Sequence, residues 1–260
     1  MKLGYLSIAP DFATRNRPDR RPASDRAALA EALGFSEFYS ELSAPVSADD
    51  PTENPLLRIL PDRPADTGPR LASVDGVPRK RCVRNPGPLA APADHPAALR
   101  EHSMQGHMPL SACWQDTDAL AQHWAAHVTG CTHGARCARR SDWRIARTVV
   151  VDDDPARAEA MVKAPDSPCR AYFAAHLPRA DDATLEARLD ACVLYGTAPQ
   201  VMAQLGALHD ALDGFGTLAF VDHAWADAAR ARRSMVLFAD SVLQTHQSLT
   251  QRKLRRLELA

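Results

Sequence analysis

The sequence predicts an α/β protein built on a parallel sheet. Three observations carry this. KLGYLSI (2–8), SDRAALAEALG (24–34) and FSEFYS (35–40) read as strand, helix and strand. RIARTVVV (144–151), rich in β-branched residues, is a strand followed by an Asp-Pro helix start. TAPQVMAQLGALHDAL (197–212) and TLAFV (217–221) repeat the alternation near the end. Strands that alternate with helices need crossover connections, and these give parallel pairing.

Each element has its own signal. In the first helix Ser24 or Asp25 supplies the N-cap and Gly34 closes the C-terminus. Pro96 opens a helix over 96–107, PLSAC (109–113) is a short strand, and Asp116 or Thr117 caps a helix over 117–129. DPARAEAMV places Asp154 as cap and Pro155 at the first helical position of a helix ending at 162. Thr197 and Gln200 have capping-box spacing. The last helix is expected over 227–243, with a frayed basic tail at 247–260. Residues 61–94 read as a Pro/Arg-rich irregular loop: eight prolines fall between 61 and 96, too dense for helix or central strand. From Arg58 to Arg84 seven basic residues face three acidic ones, almost without aromatics, so a solvated loop is expected rather than a nucleic-acid surface. The whole chain, 1–260, reads as one domain.

Composition narrows the function classes. Hydrophobic residues make up 45% and charged residues 24% of the 260, and the formal net charge is −1. No global field favours nucleic acid or an anionic membrane. No apolar run approaches the ~20 residues of a membrane helix, and the start is too short for a signal-peptide core. The six cysteines are scattered, which predicts reduced thiols and a cytoplasmic protein. The chain has no Gly-rich phosphate loop, no GxSxG and no HExxH.

HWAAHVTGCTHGARC (123–137) holds five residues of metal-ligating type: His123, His127, Cys131, His133 and Cys137. In a helix the first three share a face. Gly130 and Gly134 are expected to break that helix before His133 and Cys137, so four ligands do not converge. The expectation is no metal: a helix with partly exposed histidines and a packed Trp124. A zinc-binding module is the disfavoured alternative. Trp143 is expected in the core.

Several stretches resemble the flavin-dependent luciferase-like monooxygenase family. They are DRAALAEALGFSEFYSE with DPTENPL behind it, PLSACWQDTDALAQHWAAHVTGC, and above all SDWRIAR, YGTAPQV and FGTLAFV. The flavour is that of the limonene-type monooxygenase subgroup. The resemblance covers about two thirds of the chain. It implies a TIM (β/α)8-type barrel with reduced FMN at the C-terminal ends of the strands, where reduced flavin and oxygen act on a small apolar substrate. A flavin reductase would supply the FMN, a deazaflavin is not excluded as cofactor, and a homodimer is expected. Two departures stand out. The family's Glu-His pair is here Glu41-Leu42, and leucine carries no proton, which leaves Glu41 and His95 as the catalytic candidates. Asn54 and His95 are the candidate cofactor-binding residues. Met108 runs directly into Pro109 where the family has further barrel units, so the barrel is expected to be incomplete or shortened. The alternative function is a non-catalytic shortened barrel that holds flavin or another ligand.

Overall fold

The structure is a computed structural model, and it describes residues 1–7, 21–40, 89–90, 96–223 and 227–258. In chain order the elements are β1 (Lys2–Ser7), α1 (Arg21–Ala32), β2 (Glu37–Ser40), β3 (Leu89–Ala90), α2 (Pro96–Met104), β4 (Met108–Ser111), α3 (Thr117–His133), β5 (Arg144–Val151), α4 (Pro155–Lys163), α5 (Pro168–His176), α6 (Asp182–Cys192), β6 (Val193–Gly196), α7 (Ala198–Ala211), β7 (Thr217–Asp222) and α8 (Ala228–Glu258).

Among the described residues, all seven strands belong to one sheet, and every pairing is parallel. The path runs β2-β1-β7-β5-β4-β3, with β6 also on β5. Arg144 and Ile145 pair with both β7 and β4, and Thr148 pairs with both β7 and β6. A strand has two edges, so β4 and β6 share one edge of β5 in succession. Among the described residues the path stays open between β2 and β3, so the expected barrel is present as an open parallel arc.

Period-two alternation sorts the sheet into two faces. Leu3, Tyr5, Ile145, Val149, Val151, Leu218 and Phe220 pack with α1, α3, α7 and α8. Leu6, Tyr39, Ala146, Val150, Val193, Ala219 and Val221 pack with α4, α5 and α6. β5 is buried along its whole length, as a central parallel strand covered on both faces must be. Trp143, just before β5, is fully buried as expected.

Most of the capping signals hold. Asp116 and Asp154 each accept an amide hydrogen bond at the start of their helices, and the Thr197–Gln200 capping box is formed. Asp181 caps α6 in the same way. Ser24 and Asp25 do not cap the first helix, whose backbone is already helical from Arg21. Two further boundaries are corrected. α3 does not break at Gly130 but continues to His133. The glycine is there because a Cβ would lie 2.7 Å from Ser103 Cβ and closer still to the Arg100 carbonyl, so it lets α2 and α3 touch. α8 does not fray after 243; its backbone is helical to Glu258. Within it Ala231, Met235, Phe238, Ala239 and Val242 form the buried stripe. Of the 61–94 loop, only Leu89–Ala90 is described, and it pairs with Met108 and Pro109.

Candidate functional site

In parallel α/β folds of barrel type, ligands are held where the strands end. On the face covered by α4–α6, the residues at that end converge on His223, which directly follows β7. Its Nε2 lies 2.7 Å from Thr148 Oγ1 of β5. Thr148 also hydrogen-bonds the buried Cys169 of α5. Tyr172 meets the His223 ring edge-to-face with centroids 5.0 Å apart, and it packs on His176 at 4.3 Å. Trp114, from the loop after β4, stacks on His176 at 4.1 Å and 20°. The half-buried Trp114–His176 pair thus covers the buried Tyr172 and His223.

The electrostatics of the cluster follow from its dryness. Burial, with a smaller contribution from His176, pushes the His223 imidazole down to about 3, so it is neutral at ordinary pH. Burial pushes the Cys169 thiol up, and hydrogen bonding to Thr148 offsets only part of this. Cys169 is therefore a thiol and not a ready nucleophile. Neutral imidazole, hydroxyl and thiol can orient a ligand and hold a proton in place. At pKa about 3, His223 is a weak base.

The opposite face carries a tether at the same end. Tyr5 Oη donates to Asp222 Oδ2 at 2.6 Å, and Arg26 Nε pairs with the same oxygen at 2.5 Å. Burial raises the Asp222 pKa and Arg26 and Tyr5 pull it back, so this group joins α1 to β1 and β7. At the far, N-terminal end, buried Glu37 and Arg144 pair at 2.9 Å, with the Tyr39 hydroxyl donating to Glu37. Thr217 Oγ1 in that layer is buried with no hydrogen-bond partner among the described residues.

Glu41, His95 and Asn54, the residues expected to form the site, lie outside the described residues, as does Leu42. The metal candidates are placed, and one expectation is corrected. His123 and His127 are not partly exposed; each retains 3% of its surface. Gln115 Oε1 accepts from the Ala112 amide, so its Nε2 donates to His123 Nε2 at 2.7 Å. That leaves His123 Nδ1 as the protonated nitrogen, 3.4 Å from Ser111 Oγ. His127 Nδ1 meets Ser103 Oγ at 2.8 Å, and its Nε2 meets Cys131 Sγ at 3.5 Å. These polar contacts pin α3 to the loop after β4 and to α2. Trp124 stacks with Trp143 at 5.2 Å under the Arg140 guanidinium. Among the described residues, no group of three or more His, Cys, Asp or Glu is placed to hold a metal. The five described cysteines are free thiols. No helix of the described residues is long and apolar enough to cross a membrane.

Thr148, Cys169, Tyr172, His176 and Trp114 were not singled out in the sequence. A signal existed for His223: strand period two carries 217, 219 and 221 onto one face, and 223 continues that row past the strand end.

The fit of a flavin is partial. The aromatic wall of Trp114, Tyr172 and His176 suits a flat ring. A phosphate needs a cation or amides, and the arginines near the cluster are committed. Arg188 pairs with Asp116, Arg170 with Asp182 and Glu186, and Arg147 donates to the carbonyls of Ala112, Ala146 and Gln115. Phosphate ligands would have to come from outside the described residues.

No protein-family model matches the sequence, and no curated protein matches it. Solved structures do. Flavoprotein 390 superposes with a TM-score of 0.63 at 10% identity, over 95% of this chain and 96% of that one. The FMN-bound oxygenating constituent of 3,6-diketocamphane monooxygenase from Pseudomonas putida gives 0.46 at 23% identity, over 56% of this chain. The monooxygenase RslO1 from Streptomyces bottropensis gives 0.46 at 16% identity, over 61% of this chain. The chain spans 44% and 47% of the length of those two monooxygenases. The fold is therefore a mixed α/β fold with a parallel sheet, of the kind seen along the whole of Flavoprotein 390.

Proposed function

We propose that this chain is a flavin-dependent oxidoreductase of luciferase-like type. It would take reduced FMN from a reductase, or a deazaflavin, and act with oxygen on a small apolar substrate. One observation carries the reading. The fragments SDWRIAR, YGTAPQV and FGTLAFV, on which the resemblance rests, enter β5, β6 with the start of α7, and β7. These three strands pair in one parallel sheet, and β5 and β7 lead to the aromatic–imidazole cluster. The flavin supplies the redox chemistry when bound. The chain's residues would wall its ring (Trp114, Tyr172, His176), exclude water, and hold protons with Thr148 and His223. Glu41, His95 and Asn54 remain the proposed contributions from outside the described residues.

A second reading is a shortened barrel that binds flavin without turning it over. Leu42 favours it, standing where the family carries a histidine. Membership of the limonene-type subgroup, loss of the barrel's central units at Met108–Pro109, a homodimer and a cytoplasmic setting complete the proposal. Product formed per reduced nicotinamide consumed, with a flavin reductase present, separates the two readings. Coupled product supports the oxidoreductase; flavin binding without product supports the binder.

A further inference from the structure

A second histidine pair lies away from the site and outside the 123–137 stretch. His102 is in the last turn of α2, and His107 stands just before β4. Between them the chain closes a Schellman turn. The His107 amide donates to the His102 carbonyl at 3.0 Å, the Gly106 amide donates to the Ser103 carbonyl at 3.0 Å, and Gly106 has φ +95°. This turn brings the side chains of its first and last residues together, usually as an apolar contact. Here both are imidazoles.

Their geometry is specific. The two Nδ1 atoms are 3.3 Å apart, the ring centroids 5.3 Å apart, and the planes differ by 27°. Nitrogens that lie 2.0 Å closer than their ring centres point largely at one another. At 3.3 Å the pair makes at best a long hydrogen bond, which needs one Nδ1 protonated and which a metal ion would replace. A tetrahedral zinc with Zn–N of about 2.0–2.1 Å holds two imidazole nitrogens about 3.3 Å apart. Burial, with a lesser contribution from His102, lowers the His107 pKa, which favours the neutral, ligating form. Both rings are half-buried and reachable from solvent. The opposing group is Arg136: its guanidinium lies where a Gly106 Cβ would be, and it disfavours a nearby cation.

We propose that His102 and His107 form a bidentate site for a divalent zinc-like ion, with solvent completing the coordination. The bound ion would clasp the end of α2 to the start of β4.

Isothermal titration of the full chain with Zn2+ tests this. One ion per chain is expected, with affinity falling tenfold or more in His102→Gln and in His107→Gln. Arg136→Ala should tighten binding, because it removes the opposing charge. His133→Gln should leave binding unchanged. Imidazole NMR should show both rings shifting together at one equivalent of Zn2+. Thermal melts without metal confirm that each variant folds. Absence of stoichiometric binding, or binding unaffected by either substitution, overturns the proposal.

Discussion

The His223 imidazole and the Thr148 hydroxyl meet at 2.7 Å across β7 and β5, beside a thiol and beneath three aromatic rings. Thr148→Val keeps the shape but removes the hydroxyl that the buried Nε2 meets. Unfolding in urea should show a loss of about 1–3 kcal/mol, the usual cost of removing one side of a buried hydrogen bond.

The same histidine makes stability depend on pH. Its folded pKa, about 3, lies below its ordinary 6.5. Between these values the unfolded chain binds a proton that the folded chain does not. The contribution is therefore fully present above pH 6.5 and is lost as pH falls toward 3. Stability at pH 5 should be lower than at pH 7 by about 2 kcal/mol from this group. His127, also lowered by burial, acts in the same direction. His223→Gln should flatten the slope measured by urea unfolding between pH 7 and 5.

Two glycines should respond oppositely to alanine. Gly130→Ala pushes a methyl group against α2 and should cost about 1–3 kcal/mol. Gly206, inside α7, has open space around a built Cβ, so Gly206→Ala should gain about 0.5–1 kcal/mol. Thermal melts of the two variants check both signs.

Glu37→Gln removes the buried carboxylate that faces Arg144 Nε at 2.9 Å and leaves the guanidinium unpaired. A loss of about 3–5 kcal/mol is expected by denaturant unfolding. His123→Ala and His127→Ala should each cost about 1–3 kcal/mol, as buried hydrogen-bonded groups do, with metal content no different from that of the unmodified chain.

The elements with clean local signals were legible. β5 announced itself by its β-branched run, and α4 and α7 by their caps. β6 was not legible because α6 passes into it at Cys192–Val193 with no Gly or Pro between. Gly130 misled because a helix breaker and a helix-packing contact look alike in sequence; only the position of α2 decides. The histidines of α3 misled for a related reason, since their partners Ser103, Ser111 and Gln115 lie in other elements or in the loop before α3. The His223 cluster draws on β5, β7, α5 and the loop after β4, a convergence that no local pattern encodes.

If Leu42 deprives a bound reduced flavin of its proton partner, oxygen use would persist while substrate oxygenation stays low. Leu42→His should then raise product per reduced nicotinamide, since acid–base assistance is typically worth about 10²–10⁴-fold. Efficient coupling in the unmodified chain would instead assign the proton to Glu41, His95 or another residue.

The most direct test of the account is titration of the purified chain with FMN and with a deazaflavin, oxidised and reduced, followed by absorbance and fluorescence. The account predicts saturable binding of one flavin per chain, weakened by Trp114→Ala with the fold intact. No binding of either cofactor in either redox state would contradict it.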